Sequence, residues 1–387
     1  MKVVIITDML PPYRLSFFSA LASRCDLTIL VDCAVQKDRN WKPDDRVFPF
    51  HTLILDGPAF RLTRKRLDVA YEESRQFHFS PGVFKAMCKI KPDIVITAEM
   101  GFRTLWALLY AKLFRRKLIL WSEGTLHTEG NVGWIKQCVR PLLVRCMNAY
   151  WTNGPESTAL IESYGGKQHL VTEAMTGIDT NSWQTERDKW VSQRQAIRDE
   201  YGIIGLTIVV NGSISARKGI KQMMAAFDRW HPNGPVTLVL LGSGELEHEV
   251  REWAARQKIF RVLMPGFLDS SEIACYVAAA DWGMLPSLDD NWPLATLEIL
   301  CCGLPQLFSI HNGATSDLCV PGVTGYAFDP LDLESFINAL EQMEVKGSQR
   351  VPHQVVERLS KFYSPDAQAT RAMASFACLE HSSILPS

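Results

Sequence analysis

The stretch Leu285-Pro286-Ser287-Leu288-Asp289-Asp290-Asn291-Trp292-Pro293-Leu294-Ala295-Thr296-Leu297-Glu298-Ile299-Leu300-Cys301-Cys302-Gly303-Leu304-Pro305 carries the most informative pattern in the chain. Trp282 to Leu285 reads as a short buried strand that ends at Pro286. A turn-rich loop with the carboxylates Asp289 and Asp290 follows, and a helix starts near Pro293, a residue suited to a first helical turn. Gly303 stops that helix, and Pro305 to Ser309 reads as the next strand. Strand, loop, helix, strand is the repeating unit of a parallel α/β sheet. Its geometry leaves backbone N–H groups around Leu294 and Ala295 without intrahelical acceptors, a place for a diphosphate. Glu298, one turn later, offers an acceptor-only carboxylate to a ribose diol. Asp290, in the loop, is placed for the hydroxyls of a sugar.

The same alternation runs outward in both directions. Toward the N-terminus the predicted strands are Val3 to Thr7, Leu27 to Val31, Thr52 to Leu55, Ile94 to Thr97, Leu118 to Trp121 and Ala149 to Thr152. Between them Leu15 to Ser23, Val83 to Ile90, Thr104 to Phe114 and Ile135 to Met147 place apolar residues three and four apart, as amphipathic helices do. The second half repeats the scheme with strands Thr207 to Asn211, Thr237 to Leu241 and Val262 to Met264, and with helices such as Lys218 to Trp230 and Glu245 to Arg256. The polar, charge-dense stretch 178–203 separates the halves as a linker. The expected organisation is therefore two doubly wound, Rossmann-like domains, 1–180 and 181–364, facing each other across a cleft. A closing helix and tail, 365–387, pack back on the first domain. Ligands of such sheets sit outside the carboxyl ends of the strands.

A second motif opens the second half: Val210-Asn211-Gly212-Ser213-Ile214-Ser215-Ala216-Arg217-Lys218-Gly219-Ile220. A strand leads into a glycine-containing loop with two adjacent cations before a helix. Arg217 offers a planar fork of donors and Lys218 a point charge, and both suit a departing diphosphate. Taken with the Asp290 to Glu298 segment, these residues resemble the signatures of the family 4 retaining glycosyltransferases of the GT-B fold. In that family two acids separated by seven residues precede a helix ending in small-Gly-x-Pro, and a Gly-Arg-x-x-x-x-Lys-Gly loop opens the second domain. Two departures stand out: Asp290 replaces the usual Glu, and Ser213 replaces the usual Arg, with Arg217 able to supply that charge. The resemblance implies that Asp290 meets the donor sugar and Glu298 the ribose. It further implies that Gly212, Gly242, Gly244, Gly266 and Phe267 border the nucleotide and that a histidine after the fifth strand of the first domain, here His127, faces the donor sugar. Asn312-Gly313, Asp317 and Gly322 to Tyr326 resemble the closing pattern of the family, and Thr176 to Thr180 the segment that ends its first domain.

In the first domain Pro11-Pro12-Tyr13-Arg14 stands where the family has two adjacent glycines, so acceptor contacts are sought in Arg14 and Glu123, with Glu99 at the edge of the same cleft. Arg14 also reads equally well as a surface residue. Asp44-Asp45 and Asp289-Asp290 lack the intervening residue of a DxD metal site, and His and Cys never cluster at ligand spacing, so no metal and no further cofactor are expected.

Composition bounds the rest. Of 387 residues 47% are apolar and 21% charged, the profile of a globular chain with a sizeable core. No apolar run reaches the ~18 residues of a membrane span, and Val3 to Thr7 is too short for a signal-peptide core, so a cytoplasmic protein is expected. Ten cysteines without CxxC pairs fit reduced thiols, with Cys301 and Cys302 as packing residues. The net charge of −1 hides 24 basic against 18 acidic residues up to residue 180 and the reverse imbalance beyond it. The clusters Arg61, Arg64, Lys65, Arg66 and Arg115, Arg116, Lys117 fit either a solvated face or peripheral contact with an anionic membrane surface. The absence of a basic stripe with interleaved aromatics excludes nucleic acid.

The function these features imply is transfer of a sugar, with retention, from a nucleoside diphosphate sugar to a hydroxyl acceptor. Polysaccharide, glycolipid or other glycoconjugate biosynthesis is the expected setting, with a lipid-linked acceptor among the candidates. Two other readings use the same residues: a sugar-nucleotide epimerase, and a noncatalytic glycosyltransferase-like subunit.

Overall fold

The structure, a computed structural model, describes residues 1–32, 47–55, 59–66, 71–78, 80–130 and 132–381. The described chain divides into two compact units. One is drawn from Met1–Arg66, Glu72–Asp179 and Tyr363–Ser387; the other is mainly Thr180–Phe362.

The strands of the first unit are β1 (Lys2–Thr7), β2 (Asp26–Val31), β3 (His51–Ile54), β4 (Ala59–Arg66), β5 (Tyr71–His78), β6 (Ile94–Thr97), β7 (Lys117–Ser122), β8 (Ala149–Thr152) and β9 (Val171–Thr172). Seven of them form a sheet in the order β3-β2-β1-β6-β7-β8-β9, parallel at each described pairing, and β4 and β5 make a separate two-stranded sheet. In β1 the period-two alternation splits the core. Val3 and Ile5 join a cluster with Phe17, Phe18 and Phe376, while Val4 and Ile6 join another with Met87, Tyr110 and Leu143. Helices therefore cover both faces, which is why these strands read as continuous apolar runs. The C-terminal helix Pro365–His381 lies on helix Leu15–Ala22, and its Phe376 stacks on Trp151, whose Nε1 donates to Ser375 Oγ at 3.0 Å.

The second unit holds β10 (Leu206–Asn211), β11 (Val236–Leu241), β12 (Phe260–Gly266), β13 (Trp282–Leu285), β14 (Gln306–Ser309) and β15 (Gly325–Phe328) in the order β12-β11-β10-β13-β14-β15, all parallel. This is the 3-2-1-4-5-6 order of a dinucleotide-type sheet, and its switch point falls between β10 and β13.

The stretch 178–203 is not an open linker. It forms helices Thr180–Val191 and Arg194–Tyr201, which pack on helix Ser270–Ala279. Its apolar residues Trp183, Trp190 and Ile197 recur every seven positions. Its charge has a structural use, since Arg194 and Arg198 flank the buried Asp281 at 2.6 and 3.6 Å. Strands β4, β5, β9 and β15 were not anticipated. No helix among the described residues is long and apolar enough to cross a membrane, and no group of three or more His, Cys, Asp or Glu could hold a metal ion there. Cys301 and Cys302 are buried, and burial pushes the Cys301 thiol up to about 11.

Candidate functional site

The carboxyl ends of β10 and β13 carry the two sequence motifs, and the fold brings them together within the second unit. After β10 the chain passes Asn211, Gly212 and the buried anchor Ile214 into a single 3-10 turn, Ala216–Lys218. Gly219 then turns with a φ of 70°, and a side chain there would overlap the Pro286 carbonyl oxygen at the end of β13. Only glycine allows this approach. The Leu288 N–H donates to the Arg217 carbonyl at 2.9 Å, so the two loops are joined by backbone.

The cations and the first acid of the signature form one cluster. Lys218 Nζ pairs with Asp290 Oδ2; Arg217 Nη1 lies 3.6 Å from the same oxygen and donates to the Asp289 carbonyl at 2.7 Å. Burial alone would raise the Asp290 carboxyl, but Lys218 and Arg217 outweigh it and hold the group below the usual carboxylate range. Lys218 is mostly enclosed and Arg217 is 41% exposed, so the guanidinium is the cation with the larger open surface. The Asp290 backbone is braced by the following loop: its N–H donates to the His311 carbonyl at 3.2 Å and its carbonyl accepts from the Gly313 N–H at 3.0 Å.

The helix after β13 runs Leu294–Cys301, one residue later than Pro293, which serves as its N-cap. Leu294 and Ala295 are half-buried in its first turn, where an α-helix has no acceptors for its N–H groups. The turn is fixed from outside by Trp292 Nε1 donating to Asp317 at 3.0 Å and by Gln306 Nε2 donating to the Thr296 carbonyl at 2.7 Å. Glu298 accepts from Asn211 Nδ2 at 3.0 Å. Burial pushes its carboxyl up to about 7, against the smaller opposing effect of that hydrogen bond.

The glycines after β10 and β11 let the two loops approach one another closely. A side chain at Gly242 would overlap the Gly212 carbonyl, and one at Gly244 would crowd the Ile214 carbonyl. Both therefore make room for the loop after β10. Gly266 turns with a φ of 91° and meets nothing, and the following Phe267 is 56% exposed. Ser213 shares a hydrogen bond with Ser215 at 3.1 Å and brings no charge; Arg217 supplies the second cation.

The remaining residues singled out from sequence belong to the first unit. Arg14 is buried rather than exposed: its guanidinium pairs with Glu123 and lies 4.3 Å over the Trp121 ring, so its charge is already engaged. His127 is half-buried in a turn closed by hydrogen bonds between Thr125 and Thr128. Glu99 pairs with Arg103 at 2.6 Å, and Arg103 in turn holds the buried Asp32 at 2.6 Å. Sequence reasoning missed Asn211 as the partner of Glu298, and the His311 to Gly313 brace behind Asp290. Asn312-Gly313 stood in the sequence as a motif, but nothing in it names the partner.

Two parallel, doubly wound sheets of this order define the GT-B class of fold. The HepE protein of Anabaena, solved in complex with UDP, matches with a TM-score of 0.71 at 14% identity, covering 98% of this chain and all of that one; with UDP-glucose its TM-score is 0.69 at 16% identity, covering 97% of this chain and all of that one. By sequence, residues 194–358, which lie within the second unit, match glycosyl transferases group 1. Sulfoquinovosyl transferase SQD2 of Arabidopsis thaliana is 22% identical over 68% of this chain and 52% of its own length. The glycogen synthase of Mycobacterium tuberculosis is 25% identical over 54% of this chain and 49% of its own. The chain thus spans about half the length of these relatives.

Proposed function

We propose that this chain is a retaining glycosyltransferase that moves a sugar from a nucleoside diphosphate sugar to a hydroxyl acceptor. The observation that carries the reading is the convergence, at the switch point of the second sheet, of Arg217 and Lys218, the first turn of helix Leu294–Cys301, and Glu298. The cations and the helix N–H groups suit the two phosphates, and Glu298 suits the ribose. The solved HepE complexes with UDP and UDP-glucose support a uridine donor.

An arriving diphosphate competes with Asp290 for Lys218 and Arg217. Its binding releases the Asp290 carboxylate toward the donor sugar. The sugar C1–O bond to phosphate breaks, a C1–O bond to the acceptor forms on the same face, and the acceptor proton passes to the departing phosphate oxygen. The two cations stabilise the charge that builds there, and no metal is required for it. The test is transfer from UDP-glucose and a panel of other nucleotide sugars, after a thermal-shift screen for the nucleotide. The reading fails if no nucleotide sugar binds. Epimerisation of donor alone would move it to the epimerase class.

A further inference from the structure

We propose that the outward face of helices Phe102–Leu113 and Trp134–Arg145 in the first unit docks on an anionic lipid surface. Both helices bury their inner sides in one cluster, through Ala107, Tyr110 and Ala111 on the first and Leu143 and Val144 on the second. Their outer sides therefore look away from the same face of the sheet. Those outer sides are apolar. Leu105, Leu109 and Leu113 follow one another at a spacing of four and are 44%, 44% and 62% exposed, while Trp134, Ile135 and Leu142 are 74%, 58% and 63% exposed. Such stripes normally point into a core, and apolar surface of this extent marks an interaction site.

The charge on these helices selects the occupant. Neither helix contains an acidic residue, nor does the connection 114–117 that follows the first. Lys112, Arg115 and Arg145 are exposed around the stripes. Exposed apolar side chains on helices that carry cations and no acids match an interface of acyl chains under anionic headgroups, with tryptophan at the boundary. A second copy of this chain fits worse, because a self-complementary contact would set these cations against one another. The surface is independent of the donor site, so vesicle binding is measured without nucleotide and the two readings fail separately.

The experiment is co-sedimentation of the full chain with vesicles of phosphatidylcholine, alone or mixed with phosphatidylglycerol. Binding to the mixed vesicles is expected, weaker by about tenfold or more when the anionic lipid is omitted or salt is raised. The variant Leu109→Ser/Leu113→Ser/Leu142→Ser, with its melting temperature compared to wild type, should lose at least about tenfold in partition, the scale of several apolar side chains withdrawn from the bilayer. A second readout keeps the fold intact. Cys138 is exposed on the second helix, and a polarity-sensitive thiol probe should shift to the blue with mixed vesicles in wild type but not in Cys138→Ser. Wild type remaining in the supernatant, an unshifted Cys138 probe, or a triple variant that partitions like wild type would each overturn the proposal. So would a triple variant that changes oligomeric state while its vesicle binding is unaltered.

Discussion

Glu298→Gln separates stability from function with opposite signs. In the folded chain the Glu298 carboxyl titrates at about 7, against an ordinary value of 4.5. Below pH 4.5 it is protonated whether the chain is folded or not, and it has no effect on stability. Between 4.5 and 7 the unfolded chain releases a proton that the folded one keeps, so stability falls as pH rises; above 7 the loss is complete. Its size is about 3 kcal/mol at most, less in practice because part of the side chain remains in water. Gln is neutral at every pH and can still accept from Asn211 Nδ2. The variant should therefore melt several degrees higher than wild type at pH 8 and at the same temperature near pH 4.5. Binding runs the other way. A ribose diol needs the acceptor-only carboxylate, of which about one tenth is present at pH 6. Isothermal titration with UDP should show the wild-type advantage over Glu298→Gln shrinking about tenfold between pH 8 and pH 6, and this ratio cancels protonation of UDP itself. An advantage that is constant with pH, or a variant that binds like wild type at pH 8, would refute the reasoning.

Four other outcomes follow from the same geometry. Asp290→Asn removes the internal competitor for Lys218 and Arg217, so UDP should bind as tightly as to wild type or tighter, while transfer from the nucleotide sugar falls by at least about tenfold; calorimetry and a product assay check the two halves. Lys218→Ala leaves the more distant Arg217 as the cation beside Asp290 and removes a phosphate cation, so transfer should fall by about 100-fold or more with the fold retained, as circular dichroism would report. Gly219→Ala should cost about 2 kcal/mol or more in urea unfolding, since its left-handed φ alone costs ~1–2 kcal/mol and the Pro286 carbonyl blocks the added methyl; Gly234→Ala, where nothing stands within 4 Å, should change stability by less than about 1 kcal/mol. Chelation with EDTA should leave transfer unchanged, because the charge on the leaving diphosphate is met by Arg217, Lys218 and the helix N–H groups.

The parallel sheets were legible because strands covered on both faces leave unbroken Val, Ile and Leu runs, as in Val3 to Thr7 and Thr207 to Asn211. The site was legible where chemistry is local: Arg217 and Lys218 lie one turn before a helix, and Glu298 one turn into another. What sequence could not give was contact between distant segments. Asp290 and Lys218 are 72 positions apart, and only the switch point between β10 and β13 makes them a pair. Arg14 read equally as an acceptor contact and as a surface cation because its partner Glu123 and its platform Trp121 lie more than a hundred residues on. The stretch 178–203 read as a linker because its narrow apolar stripe is outnumbered by charges that serve the buried Asp281.

At the centre of the account is a diphosphate held at the switch point of the second sheet. A crystal structure of the chain with bound UDP tests it most directly. The account predicts phosphate oxygens within about 3 Å of Lys218 Nζ, the Arg217 guanidinium and the N–H groups of Leu294 and Ala295, with Asp290 released from Lys218 and the ribose on Glu298. A UDP whose phosphates lie elsewhere, with the Lys218 to Asp290 pair still closed, would contradict it.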